Sequence, residues 1–490
     1  MSFSVITKEE LKKSIESHFY EDLRCDDYEV EIIDAKNLLT FNRFDLSFKL
    51  IFLKMIDYDL KFAHEIYEEH IRALSLGKFK EPGNSEKNTF ALYLKVFKEV
   101  FYSIKNQGFN KQSIIPLSIN GTIANGAHRV ASSIIADKKI PCVNIEVTDH
   151  IYDYKFFYER NVPSRIMDAA ACEFIEQCNN IFIAIIWPTA VKKDKEINEI
   201  LKNIIYEKKI SFNSNGAHNL LSQIYYGEEW IGSEENNFKG AQGKLIECFK
   251  NFNPVRFIAF QSNSIKEVQK NKEKIRTIFN VGKHSIHITD TKMEALRISR
   301  LVFNDNSVHF LNYAKPNKFI STHSKIEDFK IFMNKNNISN SEVLLDAGIV
   351  LSAYGLREAR DTDFFISDDK AIKFEVDLIN NHDEVLDYYQ KEKMELIYDQ
   401  NSYFYFNDLK FISLFNLHQM KLCRNEKKDQ NDSKLMEALI EDNSFKNFHA
   451  RFLQFIYYEK IKLRHSVMKL LKILGLYNLI KKMYYLRLKK

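Results

Sequence analysis

The sequence predicts a multidomain α/β protein, and three features carry that expectation. Its 490 residues are enough for two to four units at roughly 100–200 residues each. Segments with apolar residues at i, i+3 and i+4 alternate with short apolar runs of strand length. The composition is that of a folded chain, with 45% hydrophobic and 28% charged residues, which excludes a mostly disordered protein. Glycine and proline are scarce, 14 and 7 residues, so collagen-like, Gly/Ser-linker and Pro-rich classes are excluded. A scarce glycine marks a place where the backbone needs one.

Residues 1–88 read as helical, with Lys8–His18 and Lys61–Leu76 as examples. A second unit, 89–165, opens with the helix Thr89–Asn106. It continues with strands Ser113–Ile119 and Ile140–Val147, which flank a glycine turn and a short helix. Residues 166–315 form an α/β middle region. Its strands are Ile181–Ile186 and Val255–Gln261, and its helices are Ile265–Ile278 and Lys292–Phe303. Thr291 and Glu294 have capping-box spacing for the last of these. Residues 316–341, rich in Asn, Ser and Lys, read as a linker with one helix, Ile326–Asn334. A compact unit follows at 342–447, and basic amphipathic helices at 448–490.

Charge is uneven. Residues 459–490 carry a net +9, which leaves −4 for the other 458 residues and +5 for the whole chain. Leu463, Val467, Leu470, Leu471, Leu474 and Ile480 recur at helical spacing among the lysines. Such a helix suits an anionic membrane surface, or equally its own domain with lysines facing water. The acidic body offers no basic stripe, so no nucleic-acid partner is expected. Six scattered cysteines without a C-x-x-C pair fit a reducing cytoplasm. The start MSFSVITKEELKK lacks a signal-peptide pattern, and no apolar run reaches the roughly 18 residues of a membrane span. The expected location is cytoplasmic, with a peripheral membrane contact through the tail.

Gly121 and Gly126 lie in a strand, Asn-Gly turn, Asn-Gly-Ala-His-Arg and helix sequence. Gly126 lets the backbone approach a ligand at a helix start. His128 and Arg129 add donors where free N–H groups favour anions. This stretch resembles the ParB/sulfiredoxin-like nucleotide-binding module over about residues 90–147, with Asn125 where that family usually has Asp. The resemblance implies binding of nucleotide phosphates by the Gly126, His128 and Arg129 loop. In the middle region, the run from Gly227 through Gly232 and Gly240 to Gly243 lacks Walker spacing. Lys283, His284 and His287 could grip metal or phosphate, but a structural reading is favoured.

The sharpest pattern is EVLLDAGIVLSAYGLREARDTDFFIS, residues 342–367. A strand ends at Asp346-Ala-Gly348, a helix follows, and Asp361 and Asp363 open a second strand. Two residues apart, they share one face of that strand and form a site for Mg²⁺. Gly348 would let a triphosphate approach the intervening helix, with Ser352 a turn later. The order resembles the nucleotidyltransferase superfamily and the LicD type of phosphotransferase. It implies a third carboxylate from Glu375 or Asp377, with Asp408 as another candidate. The helix holding Lys421 and Arg424, three apart on one face, resembles a phosphate-contacting helix of such proteins. Asp429 and Asp432 read as capping or salt-bridging residues.

The implied function is Mg²⁺-dependent nucleotidyl or phosphoryl transfer from ATP or CTP. The acceptor would be a small molecule or glycan, such as a sugar or polyol for surface (capsular) polysaccharide. Two alternatives are a nucleotide-binding regulatory protein and a small-molecule kinase working through Gly126, His128 and Arg129.

Overall fold

A computed structural model describes residues 4–80, 88–110, 112–367, 378–441, 459, 463 and 466–477. Helix outweighs strand, 52% against 15%, so helices must cover three small sheets. The multidomain α/β class is the observed one.

The first sheet joins β1 (Ser4–Thr7), β2 (Asp27–Asp34), β3 (Ile115–Leu117) and β4 (Lys139–Asn144) in the order β1-β2-β4-β3. β2 pairs antiparallel with β1 and β4, and β3 runs parallel to β4. The expected boundary at residue 88 therefore does not hold, because the first 34 residues supply two of the sheet's four strands. In DYEVEIID, Tyr28 and Val30 point inward while Glu29 and Glu31 stay exposed. Period two operates here beneath a polar composition. The expected helix Lys8–His18 is confined to Lys8–Leu11.

The second sheet holds β5 (Ile181–Ile186), β6 (Ile204–Ile210), β7 (Val255–Gln261) and β8 (Ile286–Ile288), all antiparallel, in the order β6-β7-β5-β8. Gly240, ahead of the helix Ala241–Cys248, packs on the 230–231 backbone. A Cβ there would fall 2.0 Å from the Trp230 carbonyl oxygen. Close backbone approach thus accounts for that glycine without a phosphate. His287 bonds Glu294 at 2.8 Å, which ties β8 to the helix Lys292–Val302.

The third sheet holds β9 (Val343–Asp346), β10 (Thr362–Ile366), β11 (Ile379–Asn381), β12 (Tyr403–Phe406) and β13 (Leu409–Ile412). Its order is β11-β10-β9-β13-β12. β9 and β10 are antiparallel, while β10 with β11 and β9 with β13 are parallel.

Two large cores result. One runs from Ala35 to Leu311 and fuses the N-terminal helices with the middle sheet. The other begins at Phe310 and reaches Met436. The expected linker 316–341 belongs to this second core. Its helix, Ser321–Lys335, buries Ile326, Phe329, Phe332 and Met333 under the third sheet. Those four apolar residues recur at helical spacing beneath a polar composition.

The helix Asp45–Lys54 is buried from Asp45 to Leu53 and carries two charges into the first core. The Asp45 carboxylate takes two hydrogen bonds from Arg43, at 2.7 and 2.9 Å, and one from Lys49 at 2.9 Å. Arg43 also donates to the Ile123 carbonyl, and Lys49 lies 3.0 Å from His70 Nε2. Burial opposes the Asp45 charge, but Arg43 and Lys49 outweigh it and hold the carboxyl below its usual range. His70 is driven well below its ordinary value by burial and by Lys49, so it accepts as the neutral ring. Asp45→Asn leaves two buried cations short of charge. It should cost about 3–5 kcal/mol, read as a lowered urea midpoint; an unchanged midpoint would show the cluster to be dispensable.

Candidate functional site

The candidate site lies where β9 ends and β10 begins. Antiparallel register sets Asp363 opposite Asp346. Thr362 and Phe364 are buried, while Asp361, one residue ahead of β10, and Asp363 are partly open. A Cβ added to Gly348 would stand 3.7 Å from Asp361 Oδ1 and 3.8 Å from Arg357 Nη1. The glycine thus lies beside one carboxylate and one guanidinium. Ala347, just before it, holds φ +56° and ψ −119°, a conformation that costs an L-residue about 1–3 kcal/mol.

Asp346 is fully buried and supplies a third carboxylate to this edge. Both of its oxygens are engaged. The Tyr389 hydroxyl donates to one, and His382 Nδ1 bonds the other at 2.7 Å. Burial opposes a charge on His382, yet the Asp346 bond and the Asp346 and Asp363 charges raise its pKa. Burial pushes Asp363 up to about 6. His382 offsets part of this, and the neighbouring Asp361 and Asp346 add to it.

Among the described residues, no group of three His, Cys, Asp or Glu side chains is arranged to hold a metal ion. The donor set still fits Mg²⁺ in its usual phosphate-bridging mode. That mode needs one or two carboxylates, with waters and phosphate oxygens completing the shell. Asp361 and Asp363 offer two such carboxylates, and the burial that raises Asp363, with the smaller like-charge push of Asp361 and Asp346, is what a cation would offset. Glu375 and Asp377 lie outside the described residues. Asp408 sits in the β12–β13 turn. The Phe411–Leu345 register sets it level with Glu342, four residues and roughly 13 Å along the sheet from Asp346. It therefore cannot complete the site.

The helix Leu414–Arg424 does not turn its cations to an open phosphate site. Lys421 is 2% exposed and bonds Asp429 at 3.0 Å and Asp432 at 2.8 Å. Arg424 grips Asp429 through two 2.8 Å bonds. Asp432 in turn holds Arg357 through bonds of 2.7 and 3.0 Å. The pair expected on phosphate instead anchors the two aspartates, and through Asp432 positions Arg357 beside Gly348. Ser352 is also corrected: it is buried, 2.6 Å from the Thr322 hydroxyl, and ties its helix to Ser321–Lys335.

The Gly126 loop has its strand–turn–helix frame, but its donors are committed inside the chain. The Gly126 N–H donates to Asn125 Oδ1, and His128 Nε2 lies 2.8 Å from the Tyr67 hydroxyl. Arg129 donates to Ser113 and to Glu16 at 3.1 Å. Gly126 itself, at φ +89°, has Ile115 Cδ1 2.7 Å from where a Cβ would stand. Its glycine requirement is explained by backbone and packing.

The sequence marks Asp346 only as the end of a strand and gives no role to His382, Tyr389 or Arg357. Asp346 and Arg357 lay in plain view, one ending the apolar strand before Gly348 and the other following Gly355. His382 and Tyr389 reach the site only through the fold. No family model, curated protein or solved structure matches the chain.

Burial opposes the charge on Asp429, but bonds from Arg424 and Lys421 prevail and hold its carboxyl below the usual range. Asp432 is likewise lowered, with Arg357 and Lys421 outweighing burial. Their stabilisation is complete above about pH 4 and is lost as pH falls through the lowered native values. Urea midpoints taken from about pH 5 to about pH 2.5 should fall for the native chain. Asp429→Asn should begin lower and fall less steeply; parallel curves would contradict the ion-pair assignment.

Proposed function

We propose that residues 342–441 contain the core of a Mg²⁺-dependent nucleotidyl- or phosphoryl-transferase site. The observation that carries this reading is Asp361 just ahead of β10 and Asp363 on it, beside Gly348 and the positioned Arg357. Asp361 and Asp363 would hold Mg²⁺. When bound, the ion supplies charge neutralisation at the transferred phosphorus and lowers the pKa of an acceptor hydroxyl. Gly348 lacks a side chain where a phosphate would approach Asp361. Arg357 offers planar N–H donors at the same spot, suited to phosphate oxygens. His382 and Tyr389 fix Asp346, and with it the β9 end of the edge. ATP or CTP as donor, and a sugar or polyol acceptor for surface polysaccharide, follow from the LicD-type resemblance alone. The internal bonds of Gly126, His128 and Arg129 lend less support to a regulatory or kinase role for that loop.

Pyrophosphate and ADP release from CTP and ATP, with and without Mg²⁺, tests the reading. Asp361→Asn and Asp363→Asn should each lower metal-dependent turnover on the order of 100-fold or more while keeping the melting temperature. Full turnover in Asp361→Asn would remove the proposal.

The tail favours a surface partner. Leu463, Val467, Leu470, Ile473 and Leu474 are all exposed, along one helical stripe with Lys469 and Lys472 among them. Among the described residues, no helix is long and apolar enough to cross a membrane. The full chain should cosediment with phosphatidylglycerol vesicles and not with phosphatidylcholine vesicles. Removal of 459–490 should release it without loss of transfer, and retained binding would reject the tail as the anchor.

A further inference from the structure

A cavity of about 390 Å³ lies at the seam between the two large cores. The first core lends it the helices that carry Lys54, Glu173 and Arg300, and the second core lends it the β12–β13 hairpin. Three cations face it. Lys54 is matched by Glu173 at 2.7 Å and Glu176 at 3.2 Å. Among the described residues the other two have no ion pair, although Glu176 lines the same cavity and its charge acts on both. Lys410 is 3% exposed and spends two N–H groups on the Ser341 and Ile397 carbonyls. Its ammonium stands 5.2 Å from the Tyr398 ring and 5.0 Å from that of Tyr403. Arg300 lies 5.2 Å over the Tyr405 ring and, among the described residues, makes no hydrogen bond or ion pair. Burial pushes Lys410 down to about 7, and the nearby Arg300 charge adds to the shift.

Lys54, Arg300 and Lys410 against Glu173 and Glu176 leave this wall with one cation in excess, a charge that an anion between Arg300 and Lys410 would balance. Arg300 offers a planar fork suited to phosphate, and Lys410 a point charge. The tyrosines supply ring faces, and Tyr58 already stacks on Tyr398 at 5.3 Å and 19°. A space of this volume accepts a small molecule rather than a polymer. We propose that this cavity binds a ring-bearing monophosphate of nucleotide size, with its phosphate on Arg300 and Lys410 and its ring against the tyrosines. Asp346, Asp361 and Asp363 do not line it, so the site is separate from the carboxylate edge and independent of the transferase reading.

Titration calorimetry of the full chain in EDTA, with AMP, CMP and inorganic phosphate as probes, tests this. AMP or CMP should bind at one site per chain and more tightly than phosphate. Arg300→Gln and Lys410→Met should each weaken binding by about tenfold or more, and Arg300→Lys by less. Asp361→Asn should bind as the native chain does. Thermal melts identify any variant that fails to fold, and Arg300→Gln decides if Lys410→Met does not fold. Absence of binding by all three probes, or native affinity in folded Arg300→Gln, overturns the proposal. Loss of binding in Asp361→Asn would reassign the ligand to the carboxylate edge. Phosphate binding as tightly as the nucleotides would overturn the role given to the rings.

Discussion

The buried Asp45 carboxylate is the constraint on which the first core depends. It sits inside a helix buried from Asp45 to Leu53 and can stay charged there only because Arg43 and Lys49 surround it. Arg43 reaches the Ile123 carbonyl, so the same cluster fixes the loop before the Gly126 helix. Lys49 reaches His70 and so fixes the helix Lys61–Ser75. Around it the aromatic rings of Phe44, Phe48, Phe157 and Phe174 close the space. A buried ion cluster adds little net stability over an apolar one, but it admits few geometries. Here it sets how three separate segments meet.

Electrostatics organises the second core differently. Its acidic edge and its cationic helix are joined by the chain's own side chains. They are coupled through a relay, with Lys421 and Arg424 on Asp429, Lys421 on Asp432, and Asp432 on Arg357. Arg357 is the member of that relay with the greatest side-chain exposure, and it is the one beside Gly348. The buried members therefore act on it by orientation. The same economy appears behind Asp363, where Asp346 is fully occupied by His382 and Tyr389 and contributes charge without free oxygens.

Much of this was legible where one physical rule acted alone. β5 is an unbroken apolar run and β7 one interrupted only by Arg256 before it ends at Gln261, so both were legible as buried strands. Asp361 and Asp363 were legible as a pair at a strand start, although β10 itself opens only at Thr362. Legibility failed where a second segment decided the outcome. The spacing of Lys421 and Arg424 says that they share a face, but not that Asp429 and Asp432 lie against it. His128 follows a glycine at a helix start, but Tyr67, 61 residues earlier, takes its ring nitrogen. The strand β2 was masked by composition, and so was the place of the helix Ser321–Lys335 in the second core, although a helix at 326–334 was legible. Glutamates and lysines on their open faces diluted the apolar period on the buried ones.

The partition of the cores near Phe310 has a practical consequence for dissecting the chain. A fragment cut at Glu342, where the sheet begins, would discard Phe310, Phe329 and Phe332 and leave their greasy seats on β10 and β12 bare. Such a piece invites self-association rather than autonomous folding. A cut ahead of the helix Asp305–Tyr313 keeps Phe310 with the sheet but takes from the first core Leu311 and the bonds of Asn213, Asn215 and Asn219 to the 311–314 carbonyls. Asn304 still bonds the Gln400 and Tyr403 carbonyls across it. Even there the two halves behave less like beads on a string than like a hinge plate with its pin left in.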